Sequence, residues 1–120
     1  MSTKFSSPSW PPPPLPPPKA NEYKNTACKN LNYSHAKFCL GDVTFDDTTI
    51  SVYFNYGTND VGTNRKIWVA FSGKTGNGGS CTGTELGWVP LGDNGNSDEG
   101  CVNINNVFSV RIKCVRERRG

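Results

Sequence analysis

The 120-residue chain contains one histidine, one methionine and no Cys-x-x-Cys pair. With His35 as the sole imidazole, a two-histidine nuclease is excluded, and any Ser-His-Asp or Cys-His centre would depend on that residue. Neither zinc-finger ligation nor a thioredoxin-type redox motif finds its ligand spacing. Ala, Leu, Glu and Lys are too sparse for a helical domain. No 18-residue apolar stretch exists, so no transmembrane segment is expected, and residues 1–24 hold no apolar run of the signal-peptide kind. No catalytic constellation emerges. Pairs such as Asp47 with Glu85 or Asp98 carry glycosidase-type groups, but a domain this small rarely builds the cleft they need. The expectation is a non-enzyme.

What the chain does have begins with proline. Seven of its nine prolines lie between Pro11 and Pro18, around Leu15. Each fixes φ near −65° and removes a backbone donor, which predicts a polyproline II rod of roughly 25 Å in a disordered arm over residues 1–25. Trp10-Pro11-Pro12-Pro13-Pro14 resembles an EVH1-domain ligand. Pro13-Pro14-Leu15-Pro16 resembles a WW-domain ligand, and Pro14-x-x-Pro17-x-Lys19 resembles an SH3-domain ligand. Those resemblances imply an intracellular adaptor that recruits SH3, WW, EVH1 or profilin-like partners through Trp10 to Lys19. The alternative role of the rod is a spacer.

Residues 26–115 are expected to form one β-domain, followed by a basic tail, 116–120. Thr49 to Tyr56 alternates Ile50, Val52, Phe54 and Tyr56 with Ser51, Tyr53 and Asn55, the period-two signature of a strand. Val107 to Val115 repeats the pattern and sets Cys114 facing inward. Lys66 to Phe71 is a continuous apolar run suited to a central strand. Shorter strands are expected at 37–40, 43–46, 87–91 and 101–104, and only Lys29 to Phe38 hints weakly at helix. Gly57 to Asn64 reads as a hairpin-type loop. The architecture predicted is all-β, a small antiparallel sandwich or partly open barrel of six to eight strands.

Five cysteines (Cys28, Cys39, Cys81, Cys101 and Cys114) supply the staples that a domain of this size needs. The layout suggests Cys81 with Cys101, and Cys114 with Cys28 or Cys39. The odd cysteine is then buried or joins two chains in a disulfide-linked dimer. Disulfides place the chain outside the cytoplasm, its signal peptide absent from this sequence. The sequon Asn32-Tyr33-Ser34 agrees as a glycosylation candidate. Arg116, Arg118 and Arg119 fit the Arg-x-Arg/Lys-Arg pattern cut by furin-like proteases, which viral envelope subunits and fungal pre-protoxins also use.

The net charge is +3, with five cationic residues against Glu117 alone in 111–120. Such a tail can touch nucleic acid, membranes or acidic glycans; a solubilising terminus explains it as well, and no nucleic-acid partner is expected. Ser72-Gly73-Lys74-Thr75 follows a strand, but Trp68 stands where a phosphate-binding loop needs glycine, so nucleotide binding is rejected. No cofactor is expected, although Asp93, Asn94, Asn96, Asp98 and Glu99 put calcium-type oxygens on a glycine-rich loop. Trp88, between glycine and proline, is the candidate contact aromatic. Thr75, Asn77, Asp93, Asn94, Asn96, Asp98 and Tyr53 complete the expected binding surface, which Tyr33 could extend. The function these features favour is a secreted or ectodomain binding module for a protein receptor or glycan. A fragment of a viral or pathogen surface protein is its most specific form.

Overall fold

A computed structural model describes residues 17–37, 40–55, 66–92 and 99–119. Eight strands and no helix occupy these residues: β1 (Lys19–Tyr23), β2 (Leu31–Tyr33), β3 (Asp42–Thr44), β4 (Ser51–Asn55), β5 (Lys66–Thr75), β6 (Cys81–Trp88), β7 (Glu99–Asn103) and β8 (Cys114–Arg119). The first sheet runs β2-β1-β4-β7 and the second β3-β8-β5-β6, all neighbours antiparallel. The all-β class expected from the sequence is the class observed.

Strand alternation explains how the sheets face one another. Ala20, Val52, Phe54 and Val102 point inward from the first sheet, and Val43, Trp68, Ala70 and Val115 from the second. The centre is aromatic: Phe54 lies between Phe45 at 6.2 Å and Trp68 at 5.4 Å, centroid to centroid. Val69, Phe71 and Cys114 form a second apolar cluster on the opposite, outer face of the second sheet. β5 is thus covered on both sides and central, as its unbroken apolar run requires.

Each sheet carries one disulfide within itself: Cys28, on the β1–β2 loop, to Cys101 on β7 in the first, and Cys81 on β6 to Cys114 on β8 in the second. This pairing corrects the one suggested by the linear layout. Cys101 faces Tyr53 across β4, beside the β1–β2 loop that carries Cys28, whereas Cys81 lies over the start of β8. Cys114 itself points to the outer cluster, not inward as the alternation of 107–115 suggested. Residues 104–113 are mostly turns, closed by Asn106 N–H to Asn103 O (3.1 Å) and Ile112 N–H to Ile104 O (3.0 Å), so the last strand starts only at Cys114.

The sheets also extend past the expected domain limits. β1 lies within residues assigned to the arm, and Pro18 before it is fully buried, although a proline run was expected to stay outside a packed domain. Proline is tolerated at the entrance to a strand, where no ladder N–H is required of it. At the other end Arg116–Arg119 belongs to β8 and is not a loose tail. The 56–65 connection lies outside the described residues, but the strands it joins, β4 and β5, belong to different sheets and form no hairpin. Of the stretch Lys29 to Phe38, the described residues, through Lys37, hold the short strand β2 and no helical turn.

Candidate functional site

Two surfaces concentrate the functional groups, one on a sheet face and one at an edge of the sandwich. The first is built on the outer face of the second sheet. Cross-strand register places Asp42, Arg116, Val69 and Trp88 in one row, and Thr44, Cys114, Phe71 and Glu85 in the next. Arg116 lies 4.8 Å over the Phe71 ring and bonds Asp42 at 3.0 Å, while Arg118 meets Glu85 at 3.2 Å. Burial pushes the Asp42 carboxyl up, but the Arg116 hydrogen bonds, the Cys81 N–H (2.6 Å) and the guanidinium charge outweigh it, so the net direction is down. At the β6 end of the row Trp88 is 66% exposed, the largest solvent-facing apolar side chain described. Gly87 beside it has φ of 128°, a backbone conformation that glycine adopts freely.

The second surface is a recess of about 350 Å³ between the β2 edge of one sheet and the β3 edge of the other. Glu22, Tyr33 and His35 line one wall; Thr44, Phe45, Asp46, Asp47 and Lys74 line the other. At its base Glu22, only 1% exposed, accepts hydrogen bonds from Asp46 N–H (2.7 Å) and the Thr49 hydroxyl (2.6 Å), and its second oxygen meets His35 Nε2. The Thr48 hydroxyl and N–H, at 2.6 and 2.9 Å, hold the Asp46 carboxyl below its ordinary range. Lys74 bridges the mouth to Asp47 at 2.9 Å. Among the described residues no hydroxyl or thiol is hydrogen-bonded to the His35 ring, and no group of three His, Cys, Asp or Glu could hold a metal.

The residues expected to bind together are dispersed. Trp88 and Asn77 lie near opposite ends of β6, roughly 23 Å apart along a strand of that length. Asn77 is exposed in the β5–β6 turn, but Thr75 ties that hairpin to β3, its N–H donating to Thr44 Oγ1 at 2.8 Å. Tyr53 lies in the first sheet and donates to Glu99 at 2.5 Å; burial and that carboxylate raise its phenol pKa. Tyr33 lines the recess instead of joining Trp88. Asn32 spends its amide N–H groups on Thr48 and Thr49 hydroxyls at 3.0 and 3.2 Å, the nitrogen a glycan would occupy. The arginines proposed for proteolysis sit in β8, with Arg116 paired on both sides, a geometry no protease groove accepts without strand removal. Pro17 is half-buried and Lys19 opens β1. Trp10, Pro13, Pro14, Leu15, Pro16, Cys39, Asp93, Asn94, Asn96 and Asp98 lie outside the described residues.

The recess was not anticipated. Asp47 and His35 stand out in the sequence separately, but Glu22, Lys74 and the spatial convergence carry no local sequence signal. Among the described residues no helix is long and apolar enough to cross a membrane, and two disulfides fit an oxidising, extracellular environment. No protein-family model, curated protein or solved structure matches the chain.

Proposed function

We propose that this chain is a non-catalytic binding module, secreted or part of an ectodomain, that contacts a cell-surface receptor or glycan. The observation that carries this reading is Trp88, 66% exposed on a sheet face stiffened by Cys81–Cys114. Exposing an indole to water forgoes about 1.5–3 kcal/mol of burial, a cost recovered when a partner covers it. Tryptophan and arginine dominate protein interface energetics, and this row offers Trp88 with Arg116 along the same face. Pairing of Arg116 with Asp42 fixes the guanidinium in place, so little side-chain entropy is lost on contact.

Fluorescently labelled full-length chain, applied to a panel of intact cultured cells, tests the proposal. Saturable surface binding is expected, weakened at least about tenfold by Trp88→Ala. Equal binding by the variant, or no saturable binding on any cell type, would overturn it.

A further inference from the structure

We propose that the recess between β2 and β3 is a second binding site, one that takes a neutral polyhydroxylated ligand of the pyranose type. Its lining does not include Trp88, and it does not depend on the contact proposed for that residue. Its volume, about 350 Å³, falls in the range of small-molecule sites. Tyr33, half exposed on its wall, presents an aromatic body with a polar tip, the surface against which the C–H face of a sugar ring lies.

Polar groups around that ring alternate in kind. The Asp46 and Asp47 carboxylates supply acceptors, and the Lys74 ammonium supplies donors beyond the one it gives Asp47. A sugar hydroxyl donates and accepts at once, so a mixed rim satisfies it where a rim of one kind would not. The strongest polar groups are already partnered: Lys74 with Asp47, and Glu22 with His35, the Thr49 hydroxyl and Asp46 N–H. An incoming cation would compete with Lys74 for Asp47. An incoming anion would meet three carboxylates against one lysine and one imidazole. Neutral hydroxyls need neither pair to break.

The site is also held in shape before any ligand arrives. Glu22 fixes His35 from beneath, Thr48 fixes the Asp46 carboxylate, and the Arg111 guanidinium donates to Asp46 O at 2.9 Å and Thr49 O at 2.8 Å. Such fixed geometry lowers the ordering cost of binding.

The test uses the full chain, isotope-labelled, titrated with methyl glycosides of glucose, galactose, mannose and N-acetylglucosamine to about 50 mM, the range suited to millimolar Kd. Sulfate and guanidinium serve as charged comparisons. At least one glycoside is expected to shift the amides of Tyr33, Asp46, Asp47 and Lys74 together. Tyr33→Ala and Asp47→Asn should each weaken it about fivefold or more, while Trp88→Ala leaves its Kd unchanged. Asp47 is 78% exposed, so its variant retains the fold, which an otherwise unaltered amide spectrum verifies. The proposal is overturned if no glycoside shifts these amides, if only sulfate or guanidinium does, or if Asp47→Asn leaves the glycoside Kd unchanged. Loss of glycoside binding in Trp88→Ala would overturn it as well.

Discussion

Glu22 is a carboxylate almost without water, at the scale of single residues the one charged side chain that is fully buried among the described residues. Removing a charge from water costs several kcal/mol unless fixed partners replace the solvent, and three do so here: Asp46 N–H, the Thr49 hydroxyl and His35. Glu22→Ala strands those donors and should destabilise the chain by about 3–5 kcal/mol in urea denaturation with disulfides intact. Thr49→Val, which removes one donor and conserves volume, should cost about 1–2 kcal/mol. Asp42 makes a pH prediction. Its carboxyl ionises at lower pH folded than unfolded, so its stabilising effect is present above the unfolded value and lost as pH falls through the folded one. Asp42→Asn should therefore be less stable than the parent at neutral pH, and the difference should shrink as pH drops below about 4. None of this was legible in the sequence. Glu22 follows a proline run and falls inside the arm that the sequence predicts, and His35 stands among polar neighbours with its partner 13 residues away.

At the scale of elements, legibility tracked the length of a pattern and the chemistry of its neighbours. β4 and β5 announced themselves because alternation or an apolar run persisted for five residues or more. β1 did not, since KANEY has one apolar residue on its inward face and a buried glutamate beside it. Residues 107–113 mimic a strand in sequence, yet Val110 is 46% exposed, and backbone bonding to other strands begins only at Lys113, which donates to Phe71 O and accepts from Phe45 N–H. The β5–β6 hairpin shows how close backbones can specify an element. A Cβ on Gly73 would stand 2.4 Å from Thr82 Oγ1 and 2.8 Å from the Thr82 carbonyl, and one on Gly83 would stand 2.7 Å from Gly73 N at φ of 77°. Register shifts along this pair accommodate the approach. Gly73→Ala should lose about 2–3 kcal/mol by overpacking against backbone. Gly78→Ala, with φ of 88° but open space around it, should lose about 1–2 kcal/mol from conformation alone. Thermal or urea melts of the two variants separate steric from conformational cost, and equal losses would show that the hairpin relaxes freely.

The whole molecule depends on how two small sheets remain together with five inter-sheet connections and a thin core. Each disulfide restricts the unfolded chain: Cys28–Cys101 closes a 73-residue separation and Cys81–Cys114 one of 33. Loop-closure entropy assigns each about 4 kcal/mol, the longer loop slightly more. That sum is a large share of the stability of a domain this size, about 5–15 kcal/mol. The five cysteines signalled the need for staples, but their pairing required knowing that Cys101 and Cys28 share the outer side of the first sheet, a fact of topology and not of spacing. Labelling of the denatured, unreduced chain should find no more than one thiol, at Cys39, against five after reduction. Dithiothreitol should then collapse the fold at a temperature the oxidised chain survives. Five thiols before reduction, with the fold intact, would refute the covalent account and with it the assignment to an oxidising compartment. Replacing Cys81 and Cys114 together with alanine should loosen the Trp88 face first. That bridge lies under Asp42 and Arg116, so partner binding should weaken more than in the Cys28, Cys101 double variant, although the latter opens the longer loop.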